Sequence, residues 1–215
     1  DCLVRAGADG VLWRDKGGGG DMRYPSCEEP RPYSSEYVID KRRNMPRWGQ
    51  YWDMRLDDCG FDVFGLVFGE CAQRKAIYGI HQTFEENHTM NCNLSFWNLN
   101  HPEFWNCAKD GVPFPGHVSM AYPEVMAHKL RFADEHIAMK PQKIFLDMWR
   151  SGSFHLKYEY VKPNIDKWKA CYSDESLPPH TDERWIKICS EPMMTYLREY
   201  GKRCHAAGVE FVVGF

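Results

Sequence analysis

The chain has 215 residues, 43% hydrophobic and 27% charged, with a formal net charge of −3. That length suffices for one domain with a sizeable core, and the near-neutral charge leaves no electrostatic footprint for nucleic acid or an anionic membrane surface. No run approaches the roughly 18 apolar residues of a membrane-spanning helix.

The chain opens in mid-element: Asp1 to Ala6 reads as the last turns of a helix, with Gly7 as its left-handed stop. Gly10-Val11-Leu12-Trp13-Arg14 follows as a first strand. A long irregular segment comes next, with four consecutive glycines (Gly17 to Gly20) and scattered Arg42, Arg43, Arg47, Trp48, Tyr51 and Trp52. A glycine run cradles phosphate when it opens a helix, which Asp21-Met22-Arg23-Tyr24-Pro25 does not do, so a mobile or substrate-covering loop is expected.

Phe61 to Arg74 carries a helical stripe of Phe64, Val67, Phe68 and Cys71. Asp62 is a suitable N-cap, and Phe61 and Leu66 are spaced as a hydrophobic staple. The apolar run Ala76 to His81 is a second strand, followed by Gln82 to His88 and a loop rich in Trp and Asn, including Trp97 and Trp105. Tyr122-Pro123-Glu124 begins another helix, with proline in its first turn and an acid suited to the positive end of the dipole. Its expected inward stripe is Met126, Leu130, Ala133 and Ile137.

Ile144-Phe145-Leu146 then reads as a strand buried on both faces, running into Asp147, Met148, Trp149 and Arg150. Phe154 to Pro179 reads as a polar, aromatic loop. Asp182 to Ala207 is helical, with Pro192 expected to mark a kink or restart, Met193, Leu197, Tyr200 and Cys204 on one face, and Gly208 as the stop. Val209 to Phe215 is a fourth strand.

Nine cysteines occur without a C-x-x-C pair. Cys71, Cys189 and Cys204 lie on helical stripes, where a thiol serves as a small apolar group, so a disulfide framework is not expected. No basic-plus-apolar leader is visible, which leaves a signal peptide absent or already removed. Asn87-His88-Thr89 and Asn93-Leu94-Ser95 fit the glycosylation triplet, which matters only in a eukaryotic secretory route.

Val11, Ile77, Ile144 and Glu210, taken as equivalent points, recur at intervals of 66, 67 and 66 residues. Each interval is about twice a minimal βαβ unit of roughly 30 residues. The surplus falls after the strands and before the helices, as in (β/α)8 enzymes that build a site from long loops on one rim. A complete barrel of that kind needs about 250 residues, so residues 1–215 read as a single incomplete domain, the first half of a longer barrel, with no separate linker or second domain. An open four- or five-stranded sheet is the competing architecture.

On this plan the strand ends present Arg14 and Asp15, then His81 with Glu85 and Glu86, then Asp147, Trp149 and Arg150. Glycoside hydrolysis uses two carboxyl groups, roughly 5–5.5 Å apart for retention and about 6.5–9.5 Å apart for inversion. Asp147 is the first choice as nucleophile or general base, with Glu85 or Glu86 as acid or as ligand of sugar hydroxyls. Arg14 and Arg150 are bidentate partners for oxygen anions, His81 is a rim residue, and Trp97, Trp105 and Trp149 offer faces to pyranose rings. The partner expected is a carbohydrate, with no cofactor, and secretion or a periplasmic location suits that chemistry. A metal-dependent sugar hydrolase or isomerase is an alternative, because His81, Glu85 or Glu86, His88 and Asp147 are N/O ligand types. A non-catalytic carbohydrate-binding module is another.

Tyr122-Pro123-Glu124-Val125 and Ile144-Phe145-Leu146-Asp147-Met148-Trp149-Arg150 resemble a family of uncharacterised glycoside hydrolases with (β/α)8 barrels, whose pattern is YPEVR…DGIFLDFxR. The helix start at Phe61-Asp62, Gly79-Ile80-His81, Thr83 to His88, and Trp185 to Gly208 also fit it. The chain departs from the pattern at Met126 and at Pro141-Gln142-Lys143. The resemblance implies a barrel and glycosidase chemistry, with Asp147 at the matching acidic position and no particular substrate.

Overall fold

The computed structural model describes residues 5–15, 39–40, 45–46, 62–84, 96–148, 156–173 and 176–215. In chain order these form strands β1 (Gly10–Arg14), β2 (Ile39–Asp40) and β3 (Met45–Pro46), helix α1 (Val63–Gln73) and strand β4 (Ile77–Thr83). Helix α2 (Phe96–Asn100), strands β5 (Trp105–Cys107) and β6 (Pro113–Val118), helix α3 (Pro123–Ala138) and strand β7 (Lys143–Asp147) follow. Helices α4 (Lys162–Tyr172) and α5 (Glu183–Ala206) lead to strand β8 (Glu210–Gly214).

The four strands expected from the sequence form one parallel sheet in the order β1-β4-β7-β8. Their spatial order is their sequence order, so each helical connection returns the chain to the next position along the sheet. The register aligns Arg14 with His81, His81 with Phe145 and Phe145 with Val212. Thr83 aligns with Asp147, and Asp147 with Gly214.

Successive residues of a strand point to opposite faces, and the two faces of this sheet differ in kind. One carries Trp13, Tyr78, Ile80, Ile144, Leu146 and Phe211 into a core built with Phe64 and Phe68 of α1, Leu130, Phe132 and Ala133 of α3, and Met193, Tyr196, Tyr200 and Cys204 of α5. The other carries Leu12, Arg14, His81, Phe145 and Val212, of which Leu12 is 40% exposed and the rest are half-buried. Helix α4 packs away from the sheet, where Trp168 joins Tyr160, Trp185, Ile188 and Cys189 in a second apolar cluster.

The helices end alike before the sheet strands. Lys75 (φ 56°), Lys140 (φ 54°) and Gly208 (φ 72°) follow α1, α3 and α5 in the left-handed conformation that turns the chain into β4, β7 and β8. Asp62 caps α1 by accepting from the Gly65 amide at 2.8 Å, a contact for which the bare glycine leaves room. The proposed staple partner Leu66 is 50% exposed, and Phe61 lies outside the described residues.

Three expectations change. The segment read as a loop from Phe154 to Pro179 contains α4, opened by Pro163 in its first turn. That helix buries only Asn164 and Trp168, too sparse a stripe to register as a period. The buried face of α3 is Val125, His128, Lys129, Leu130, Phe132, Ala133 and His136. Two histidines and a lysine share the core side, so hydropathy alone misplaces the stripe. Of the two alternatives for Pro192, the restart falls away, because the residue lies inside a single helix, α5.

Candidate functional site

At the carboxyl ends of β1, β4 and β7, side chains that are distant in sequence converge on the open face. His81 Nε2 lies 3.2 Å from Asp147 Oδ2, and the two side chains keep 30% and 13% of their surface accessible. Arg14 donates from Nη2 to Thr83 Oγ1 at 3.2 Å, and Thr83 is the cross-strand neighbour of Asp147. The His81 ring meets Phe145 edge-on at 5.3 Å. Phe145 in turn lies over Gly214, where a Cβ would come within 2.6 Å of its ring. The missing side chain on β8 therefore gives the phenyl ring its seat beside His81.

Backbone bonds carry the ladder up to this rim. The Asp15 amide donates to the His81 carbonyl at 3.0 Å, Phe84 to Asp147 at 3.1 Å, and Met148 to Gly214 at 2.9 Å. Asp147 is thus held by β4 and β8 on either side, and its carboxylate has both an imidazole and a hydroxyl-bearing neighbour. A partly accessible carboxylate in this setting can act as a nucleophile or as a base towards a ligand on the open face.

Of the residues expected at the site, Arg14, His81 and Asp147 are brought together, while Glu85, Glu86, Trp149 and Arg150 lie outside the described residues. Trp97 is engaged in packing: its ring stacks on His128 at 3.9 Å and lies against His101 at 4.3 Å and Phe104 at 5.9 Å. Trp105 donates from its indole to the Asn98 carbonyl at 2.7 Å. Asp15 points to the opposite face of the sheet, fully buried near His136. For the metal reading, His88 and both glutamates lie outside the described residues, and among the described residues no group of three or more His, Cys, Asp or Glu is placed to hold a metal ion. The described cysteines Cys71, Cys107, Cys171, Cys189 and Cys204 are free thiols.

Sequence reasoning missed Thr83, and it missed Glu159 altogether. Glu159, 4% exposed, accepts from Asn106 Nδ2 at 2.8 Å, from Ser119 Oγ at 2.7 Å and from Asn164 Nδ2 at 3.2 Å. Tyr160 donates its amide to the Cys107 carbonyl at 3.0 Å beside it. These bonds tie the segment after β4, which contains β5 and β6, to the segment after β7. Burial, and then the Glu159 charge, push the Cys189 thiol well above the ordinary thiol range. Glu159 is buried and accepts three side-chain hydrogen bonds, which knot two connecting segments together.

No protein-family model matches the chain, and no curated protein matches it in sequence. Among solved structures, the chain is similar to alpha-L-fucosidase isoenzyme 2 from Paenibacillus thiaminolyticus, at a TM-score of 0.62 and 13% identity, over 99% of this chain and 28% of the fucosidase chain. At that identity the likeness is one of fold, and the chain spans little more than a quarter of the enzyme's length. The distant structural neighbour is a glycoside hydrolase, and this chain is a mixed α/β protein with a parallel sheet.

Proposed function

We propose that the chain is half of a (β/α)8 barrel belonging to a glycoside hydrolase, with a carbohydrate bound at the carboxyl ends of its strands and Asp147 as a catalytic carboxylate. The observation that carries this reading is the Asp147–His81 contact on the open face of the sheet, at the strand ends where parallel α/β enzymes place their chemistry. The sequential strand order supports the barrel. A sheet that adds each new strand on the same side, with its described core cluster on one face, is wound as barrels are, whereas a doubly wound sheet reverses its strand order. The fold likeness to a fucosidase supports the hydrolase class without choosing a sugar.

In this reading Asp147 is the nucleophile or general base, His81 fixes the orientation of its carboxylate, and Arg14, held by Thr83, faces substrate oxygens. Glu85 or Glu86 supplies the second acid, and Trp149 and Arg150 line the sugar site. The test is hydrolysis of a panel of aryl glycosides and glycans by the full-length protein. Asp147→Asn should lower kcat by about 10²–10⁴-fold, the range for removing a positioned acid or base, with KM little changed. An Asp147→Asn protein that retains full activity removes Asp147 from the mechanism.

A further inference from the structure

Behind the strand ends, on the helix-covered face, four polar side chains from four parts of the chain form a line. They are Asp15 just after β1, His136 in the last turn of α3, Tyr200 of α5 and Gln82 of β4. Asp15, His136 and Tyr200 are 0% exposed and Gln82 is 1% exposed. Asp15 Oδ2 lies 3.3 Å from His136 Nε2, a contact at ion-pair distance without full hydrogen-bond geometry. His136 Nδ1 lies 3.1 Å from the Tyr200 hydroxyl, which donates to Gln82 Oε1 at 2.9 Å.

The direction of the line fixes its protons. Tyr200 has a single hydroxyl proton and gives it to Gln82, so towards His136 its oxygen can only accept. His136 Nδ1 therefore carries a hydrogen.

We infer that Asp15, His136, Tyr200 and Gln82 are positioning residues for the rim, a buried polar relay that holds the ends of β1 and β4 so that His81 meets Asp147. Both ends of the relay touch the backbone of the site. The Asp15 amide donates to the His81 carbonyl, and Gln82 stands between His81 and Thr83 in β4. None of the four side chains contacts the open face, so the relay acts only by fixing the strands that carry Arg14, His81 and Thr83.

The inference rests on the rim being the site, but its test reads imidazoles and not turnover. Long-range ¹⁵N–¹H NMR of the labelled protein at neutral pH should show His136 protonated at Nδ1. A neutral His136 protonated only at Nε2 reverses the relay and overturns the assignment. In Tyr200→Phe, which removes the central hydroxyl while keeping the ring, the His81 imidazole resonances should shift although Tyr200 is on the other face of the sheet. Unchanged His81 resonances in a folded Tyr200→Phe protein overturn the positioning role. Should that variant not fold, Gln82→Met removes only the terminal acceptor and gives the same readout. A protein with these signals that cleaves no glycoside keeps the relay and loses the hydrolase assignment, and the reverse result does the opposite.

Discussion

Two carboxylates, Asp147 and Glu159, show what a residue's neighbours in sequence can and cannot reveal. Asp147 announces itself because it ends an apolar strand, and a charged side chain at that point has no packing duty. Glu159 has no such context: Asn106 and Ser119 come from 53 and 40 residues away, and only folding brings them to it. Glu159→Ala leaves Asn106, Ser119 and Asn164 buried without their common acceptor, so stability should fall by about 3 kcal/mol. Urea denaturation checks this as a lower midpoint with an unchanged slope, and Glu159→Gln, which keeps one acceptor oxygen, should cost less. His128 and His136 are equally illegible. A histidine on a helix reads as surface, whereas here one stacks on Trp97 and the other pairs with Asp15.

At the scale of the element, periodicity recovers the long helices and the strands because their stripes repeat several times. It loses α4, with two buried positions, and the β5–β6 hairpin, whose strands have three and six residues. Helix ends are read through glycine, which finds Gly208 but not Lys75 and Lys140 in the same left-handed role. Helix α5 opens on Asp182, which accepts from the Arg184 amide at 2.9 Å and pairs with the Arg184 guanidinium. That side-chain pairing chiefly, with the capping amide, lowers the Asp182 carboxyl from its usual value to about 2. A carboxyl depressed in the folded state favours folding above its unfolded value of about 3.9, and the contribution is lost as pH falls through that value towards 2. Acid titration of thermal stability should therefore be less steep between pH 4 and 2 in Asp182→Asn than in the parent protein. Parallel curves would show that the cap does not titrate in this window.

For the molecule as a whole, the sheet and its one-sided core decide which groups are accessible. Cys204 and Cys189 lie in the two apolar clusters and Cys71 is buried on α1, while Cys171 is exposed on α4. Burial raises the Cys204 thiol to about 12 and holds the Cys189 thiol higher still. Alkylation of the native protein at pH 8, read by peptide mass mapping, should modify Cys171 and spare Cys189 and Cys204 until denaturant is added. Labelling of Cys204 at the rate of Cys171 would contradict its place in the core. The alternation of strands and helices, the four strands of the main sheet and the candidacy of Asp147 were all written in the sequence, because each depends on residues within a few positions of one another. The tertiary structure alone decided that the main cluster of described core residues lies on one face of the sheet, that His81 reaches Asp147 while Asp15 turns away to His136, and that Glu159 ties two segments together. Those outcomes hang on strand register and helix docking between residues 40 to 121 positions apart in the chain, and no local pattern encodes them.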